Sequence, residues 1–196
     1  MHTLHPEHIR RTLDSTPDLT QAAPNRTRPS VAMLLHGIPA AEIFFIVRAK
    51  HENDPWSGDI GFPGGKIETG ESVRQTAERE TLEEVSIDLS RSELLGFLAP
   101  IRGAHLPVNI NCSVYLCPEK PRVEINHEVS SSFWYSIDEL LNPERFADYP
   151  VRFEEEQLSR PGIRLSQEQP VLWGITYRLL EQFFQRMNIS FPASRR

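Results

Sequence analysis

Short apolar runs recur along the central part of the chain, and the spacing of apolar residues separates strands from helices. Runs rich in β-branched and aromatic side chains predict strands. The predicted strands are 30–35, 42–48, 94–100, 109–116 and 132–136. Apolar residues that recur at helical spacing predict amphipathic helices. The predicted helices are 5–14, 71–86, 137–141 and 170–187. Strands and helices mixed in this order predict an α/β sandwich.

Proline, glycine and polar residues mark the segments that connect these elements. Residues 16–30 contain three prolines among polar residues, which predicts an extended linker. The same signals predict a long loop over 50–70 and an irregular segment over 142–170. We therefore expect a single domain over residues 1–196, in which residues 1–30 form an N-terminal arm and linker.

The composition is that of an ordinary globular protein in solution. Apolar residues make up 39% of the chain and charged residues 24%. No apolar run approaches the roughly 20 residues that a membrane helix needs, and residues 1–14 lack the apolar core of a signal peptide. We therefore expect a cytoplasmic protein that has no membrane partner.

Charge and cysteine usage exclude two further classes of function. The formal net charge of −6 argues against binding of a nucleic-acid polymer, which requires a basic face. It is compatible with a small anionic substrate, because a bound divalent cation can reverse the local sign of a carboxylate site. The spacing of Cys112 and Cys117 matches neither a disulfide framework nor a zinc site, so we interpret both as packing residues in a strand.

The segment 58–89 carries the residues with the clearest chemical meaning. Gly64 and Gly65 allow the backbone to approach a ligand or metal closely. In the helix that follows, Glu80, Glu83 and Glu84 fall within an arc of about 100°. A solvated acidic helix face would have the same spacing. Ionised carboxylates so close together repel one another, however, and hard oxygen ligands of this kind suit Mg²⁺ or Mn²⁺.

This segment resembles the Nudix box, whose pattern is G-x5-E-x7-R-E-U-x-E-E-x-G-U with U a bulky apolar residue. The matching positions are Gly65, Glu71, Arg79, Glu80, Glu83, Glu84 and Ile87. The box spans 23 residues, and the similarity extends over about residues 31–185. The resemblance implies the Nudix α/β/α sandwich with a mixed β-sheet, in which the box forms a loop, a helix and a second loop.

The chain departs from the box at two uncharged positions. Thr81 replaces the first bulky apolar residue, which implies a mild change of packing. Ser86 replaces the last glycine, so we expect the helix to end without its usual left-handed residue.

The resemblance also implies a role for each charged residue of the box. Glu80, Glu83 and Glu84 would bind the metal ions, with the Gly65 carbonyl as a further candidate ligand. Arg79 would orient these carboxylates, or else form an ordinary surface ion pair. The implied reaction is hydrolysis of a pyrophosphate linkage by in-line substitution at phosphorus, assisted by Mg²⁺ or Mn²⁺.

Four glutamates in and near the box are candidates for a structural role or for the general base. Glu71 is expected to tie the loop to the helix rather than to take part in the reaction. Glu80 is a candidate general base. Glu128 is another, because it resembles the acidic loop residue that many family members place before a strand. Glu124 competes with Glu128 for this role, and either could also be a solvated loop residue.

The flanks of the box resemble a branch of the family that cleaves coenzyme A. The matching features are Arg48-Ala49, Gly58-x3-Phe62-Pro63-Gly64-Gly65 and Trp173-Gly174-Ile175-Thr176, the last of which would also suit a buried helix start. The branch has a second arginine where this chain has Asn53 and Asp54, and the spacing is one residue longer. Arg48, Lys66 and Gly64 are the candidate substrate contacts.

Two other functions remain compatible with the sequence. One is a Nudix hydrolase for nucleotide sugars, dinucleoside polyphosphates or damaged nucleotides. The other is a Nudix-fold ligand sensor without catalysis, although sensors usually lose box carboxylates that are all present here. In each case the ligand is a nucleotide-like small molecule, and a homodimer stays an open alternative to a monomer.

Overall fold

A computed structural model describes residues 4–18, 26–52, 56–104, 106–153 and 156–192. The helices of the described residues are α1 (Pro6–Thr12), α2 (Val73–Val85), α3 (Ile137–Leu140) and α4 (Gly174–Arg186). The strands are β1 (Pro29–His36), β2 (Glu42–Arg48), β3 (Ile60–Gly61), β4 (Gly64–Lys66), β5 (Glu93–Arg102), β6 (Asn109–Cys117), β7 (Val129–Ser136), β8 (Phe146–Phe153), β9 (Glu156–Arg164) and β10 (Val171–Trp173). None of the described helices combines the length and the apolar character needed to span a bilayer.

The central sheet contains both parallel and antiparallel pairs. Its strand order is β3-β2-β1-β6-β5, with β4 also paired to β1 and β7 to β2. β1 and β6 are parallel, and the other pairs are antiparallel. The predicted α/β fold with a mixed sheet is therefore confirmed. Both cysteines are free and buried in β6, as their interpretation as packing residues requires.

Both faces of this sheet are buried, which gives the fold three layers. In β1, Ala32 and Leu34 belong to a core shared with Ala77 and Val85 of α2. Met33 and Leu35 face the opposite side of the sheet and belong to a second core, which is shared with α1 and α4. This alternation follows from the two-residue period of a strand, and each large side chain buried in this way stabilises the fold by about 1.5–3 kcal/mol.

The prediction that residues 142–170 are irregular is wrong. β8 and β9 form an antiparallel hairpin there, and β10 joins it as the third strand of a second sheet. Proline suggested a break in the strand pattern, but Pro161 lies beyond the residues of β9 that pair with β10. Its missing N–H therefore removes no hydrogen bond to β10. Because residues 171–173 pair with β9, the last helix begins at Gly174 rather than at residue 170.

Helix α2, which carries the box glutamates, has well-defined ends. At its start, Ser72 and Gln75 form a reciprocal capping box. At its end, Ser86 adopts the left-handed conformation itself, with φ 59° and ψ 27°. The expectation that α2 would end without a left-handed residue is therefore wrong. Ser86 adopts this conformation although it is not a glycine. Thr81, which replaces the bulky apolar residue of the box, is buried. Its hydroxyl donates to the Ala77 carbonyl at 2.6 Å and so is not left without a partner.

We predict that Ser86→Gly stabilises the protein by about 1 kcal/mol, because glycine adopts a positive φ without steric cost. The measurement is the free energy of unfolding in urea. Ser90→Gly is the control, since Ser90 is not among the described residues with positive φ, and it should be neutral or destabilising. A loss of stability in Ser86→Gly would contradict the prediction.

Candidate active site

Two glycines place the loop that precedes α2 directly against β1. A Cβ at Gly64 would lie 2.3 Å from the Ser30 carbonyl oxygen, so any larger residue would force the strands apart. The Ala32 N–H donates to the Pro63 carbonyl at 2.9 Å, which fastens the loop to β1. A Cβ at Gly65 would lie 2.2 Å from Oε1 of Glu80, so the absence of a side chain here lets that carboxylate approach the backbone.

Glu84 is the buried carboxylate of the site, with 1% of its surface exposed. Its Oε2 accepts a hydrogen bond of 2.9 Å from the Gly64 N–H, and its Oε1 lies 3.6 Å from Nη1 of Arg48. Burial raises the pKa of Glu84 to about 7, and the charges of Glu80 and Glu128 act in the same direction. Glu84 is therefore poised between its charged and neutral forms near neutral pH.

Arg79 gathers three carboxylates around its guanidinium group. Its Nε lies 2.7 Å from Oε1 of Glu71, and its Nη1 lies 3.0 Å from Oε1 of Glu80 and 3.1 Å from Oε2 of Glu83. Its Nη2 also donates to the Lys66 carbonyl at 3.3 Å. Arg79 thus connects the glycine loop to the acidic face of α2.

Glu71 joins the loop to the helix. It accepts hydrogen bonds from the Arg79 guanidinium, from the Thr76 hydroxyl at 2.7 Å and from the Glu68 N–H at 3.1 Å. The Arg79 hydrogen bond is the main reason that the pKa of Glu71 is lowered to about 2. Glu71 is consequently ionised at neutral pH, and these hydrogen bonds engage its carboxylate in holding the loop to the helix.

The loop before β7 is tied to the end of α2. The Glu124 and Asn126 N–H groups donate to carbonyls at the end of α2, and the Ala49 N–H donates to the Glu128 carbonyl at 2.8 Å. The charge of Glu128 acts to raise the pKa of both Glu80 and Glu84, so Glu128 lies near these two carboxylates. Glu124 instead forms an exposed ion pair of 2.9 Å with Arg122.

A cleft of about 500 Å³ opens beside these carboxylates. Its lining residues are Lys66, Ile67, Glu68, Thr69 and Glu80. Lys66 is exposed at its rim, and Arg48 lies at the end of β2 next to Glu84. Asn53 and Asp54, where the second arginine of the coenzyme A-cleaving branch would stand, lie outside the described residues.

The box carboxylates form two groups rather than one preformed metal centre. Among the residues that the structure describes, no three carboxylate, imidazole or thiolate groups are arranged to hold a metal ion. Arg79 draws Glu80 and Glu83 to one side, and Gly64 and Arg48 hold Glu84. The donors still fit a hard divalent cation, because all are oxygens and the bare backbone at Gly65 lies directly against Glu80.

A comparison with known proteins decides the family. The NUDIX domain family model matches residues 26–155. The chain belongs to the Nudix hydrolase family.

Two relatives and one solved structure illustrate how far the similarity extends. The uncharacterized Nudix hydrolase NudL of Pectobacterium atrosepticum is 29% identical over 155 residues, which cover 78% of this chain and 77% of NudL. An uncharacterized protein of Schizosaccharomyces pombe is 36% identical over 112 residues, which cover 52% of this chain and 34% of that protein. The chain thus matches only about a third of the length of the yeast protein.

The fold of this Nudix protein is also similar to the NUDIX domain of Shewanella oneidensis NrtR, solved in complex with ADP ribose. The TM-score is 0.56 at 20% sequence identity, and the match covers 86% of this chain and 92% of the other. At this identity the likeness supports the shared fold.

Two contacts of this Nudix site join segments far apart in the sequence. Nε1 of Trp173 donates to Oδ1 of Asp59 at 3.0 Å, and the Thr176 hydroxyl donates to the Ile60 carbonyl at 3.0 Å. The sequence pointed to Trp173 and Thr176 only through a family resemblance, and it did not single out Asp59. A polar residue between Gly58 and Phe62, in a loop that leads to the box, was the available signal.

We predict that the metal-free protein loses stability as the pH rises through the pKa of Glu84. Burial raises the pKa of Glu84 in the folded protein to about 7, from an ordinary value of 4.5. The resulting stabilisation is fully present below about pH 4.5 and is lost as the pH rises through 7. The loss should be on the order of 3 kcal/mol, and Glu84→Gln should lack it. Unfolding in urea at pH 5 and pH 8, with chelator present, measures the difference. Equal pH dependence in both proteins would contradict the pKa assignment.

Proposed function

We propose that this protein is a metal-dependent pyrophosphatase that acts on a nucleoside diphosphate derivative. The observation that carries the proposal is that two box carboxylates, Glu84 and Glu80, lie directly against the glycine loop that precedes α2. Glu84 is bound to the Gly64 N–H, Glu80 lies against Gly65, and Glu83 is exposed beside them. A solvated acidic helix face would not require a buried glutamate held by a loop amide.

The residues that would hold Mg²⁺ or Mn²⁺ are Glu80, Glu83, Glu84 and the carbonyl of Gly65. When bound, a divalent cation neutralises pyrophosphate and makes water a better nucleophile. Arg79 would keep Glu80 and Glu83 correctly oriented, because its guanidinium contacts both. The Gly64 N–H would fix the carboxylate plane of Glu84.

The attacking water must give up a proton to a nearby base. Burial raises the pKa of Glu80, but its carboxylate is engaged in an ion pair with Arg79 at 3.0 Å and is less free to accept a proton from water. Glu128 lies close enough to influence Glu80 and Glu84, and no ion pair of its side chain occurs among the described residues. We therefore favour Glu128 over Glu80 as the general base. The water oxygen would bond to one phosphorus while the bridging P–O bond breaks and the leaving phosphate takes that electron pair.

The proposed substrate is coenzyme A or an acyl derivative, cleaved to a phosphopantetheine product and 3′,5′-ADP. Support comes from the match of Arg48-Ala49 and Gly58-x3-Phe62-Pro63-Gly64-Gly65 to the coenzyme A-cleaving branch. Both stretches lie at the site, since Arg48 and Gly64 contact Glu84. Arg48, Lys50 or Lys66 would have to pair with the 3′-phosphate in place of the branch's second arginine.

We predict that kcat/KM for coenzyme A exceeds that for ADP-ribose by about tenfold or more, because the 3′-phosphate gains a charge-assisted contact. Dephospho-coenzyme A serves as the matched control that lacks only this phosphate. A tenfold preference for ADP-ribose or another nucleotide sugar would exclude the coenzyme A assignment and leave the general pyrophosphatase proposal. Tight binding of a nucleotide without any turnover would instead favour a ligand sensor.

A further inference from the structure

The start of helix α4 holds one end of the loop that enters the active site. Trp173 donates from Nε1 to Oδ1 of Asp59, and Thr176 donates to the carbonyl of Ile60. Tyr149, from the β8–β9 hairpin, packs on the Trp173 ring with a centroid distance of 5.8 Å. Asp59 and Trp173 are both partly buried, so their hydrogen bond is shielded from solvent competition.

The other end of the same loop holds Glu84. Phe62 stacks on Phe45 at a centroid distance of 5.3 Å, and Pro63 accepts a hydrogen bond from the β1 backbone. The next residue, Gly64, donates its N–H to the Glu84 carboxylate at 2.9 Å. The segment 59–64 is therefore a short connection, held at both ends, between the start of α4 and Glu84.

Asp59 is linked to Glu84 by a second route. Its carbonyl accepts a hydrogen bond of 3.0 Å from the Arg48 N–H, and the Arg48 side chain lies 3.6 Å from the Glu84 carboxylate. The Glu84 carboxylate is thus contacted by Gly64, at the far end of the segment that starts at Asp59, and by Arg48, whose N–H is bonded to Asp59. A displacement of Asp59 would move them together.

We propose that Trp173 and Asp59 are positioning residues for the reaction, and that their hydrogen bond sets the orientation of the Glu84 carboxylate through the segment 59–64. The expected effect of these two residues on turnover rests on the proposed function, whereas their expected effect on the order of the loop does not. Neither side chain needs to touch substrate. Small misplacements of catalytic groups can cost up to about a hundredfold in rate, so the contribution is measurable.

The test compares Asp59→Ala and Trp173→Phe with the conservative variant Asp59→Asn. Asp59→Ala removes the acceptor, and Trp173→Phe removes the donor while keeping a ring against Tyr149. Asp59→Asn keeps an Oδ1 acceptor. We expect the Gly64 amide to exchange with deuterium at least about tenfold faster in the first two variants, by NMR, and at the wild-type rate in Asp59→Asn.

Turnover gives the second measurement. We expect kcat to fall by about ten- to a hundredfold in Asp59→Ala and Trp173→Phe, with KM within about twofold of wild type, and to be restored in Asp59→Asn. Tyr135→Phe is the matched control, because it removes a hydrogen bond of 3.0 Å to the Leu165 carbonyl outside this loop. It should leave both measurements unchanged.

The outcomes separate this inference from the proposed function. If the protein hydrolyses no pyrophosphate, the exchange rate of the Gly64 amide still decides whether Trp173 and Asp59 hold the loop. Wild-type exchange at Gly64 in folded Trp173→Phe would overturn the inference. So would an equal loss of kcat in Asp59→Asn and Asp59→Ala, since the acceptor would then not matter. If Asp59→Ala does not fold, Trp173→Phe alone supplies the comparison.

Discussion

Glu84→Gln and Glu83→Gln should each lower kcat by roughly several hundred-fold or more while the protein stays folded. Each change keeps the size of the side chain and removes a charge that the proposed metal site needs. The glutamine at 84 can still accept the hydrogen bond from Gly64, so the loop keeps its anchor. Glu83 has 55% of its side chain exposed, so its replacement disturbs little packing.

The control for these variants lies on the same helix. Glu78→Gln also removes one negative charge from α2, but Glu78 pairs with Arg74 at 2.7 Å and contacts Tyr115. It should leave kcat within about twofold of wild type, because surface ion pairs contribute little. Circular dichroism verifies the fold of all three variants. Normal turnover in Glu83→Gln and Glu84→Gln would place the metal site elsewhere.

Removal of divalent cations should abolish hydrolysis, with a loss of about a thousandfold or more. Glu80, Glu83 and Glu84 carry like charges when they are ionised, and the guanidinium of Arg79, which pairs with Glu80 and Glu83, is shared with Glu71. A polyanionic pyrophosphate cannot approach this surface unless a cation offsets the charge. The measurement is turnover in excess chelator, followed by addition of Mg²⁺ or Mn²⁺.

The control for this experiment is the addition of Na⁺, instead of Mg²⁺ or Mn²⁺, to the chelator-treated protein at the same ionic strength. It should not restore activity, because general screening cannot replace a cation held by carboxylate ligands. Hydrolysis that continues unchanged in chelator would contradict the proposed mechanism, whatever the substrate.

The strands and the box helix could be predicted because their signals are local. β1 and β2 alternate between two buried faces, so their apolar runs are nearly continuous, and α2 has a capping sequence. The β8–β9 hairpin could not be predicted in this way. Its strands carry prolines and polar residues, and pairing between them, rather than an apolar pattern, determines their conformation.

In the candidate site, too, the features with a local sequence signal could be predicted and those that depend on distant contacts could not. The family pattern identified the positions of Glu80, Glu83 and Glu84, but not that Glu84 alone would be buried. That difference depends on the Gly64 amide and on Arg48, which reach Glu84 only after the sheet has formed. The contact between Trp173 and Asp59 spans 114 residues of sequence, so no local pattern could indicate it.

The most direct test of the central proposal is an analysis of reaction products by chromatography and mass spectrometry. The panel contains coenzyme A, dephospho-coenzyme A, ADP-ribose and a dinucleoside polyphosphate, each with Mg²⁺ or Mn²⁺, with chelator, and with Glu84→Gln. We predict that the wild-type protein with metal cleaves at least one compound between two phosphorus atoms, giving two phosphate-terminated products. Chelator and Glu84→Gln should suppress this cleavage. A folded, metal-supplied protein that leaves every pyrophosphate intact, or that cuts only at another bond, would contradict it.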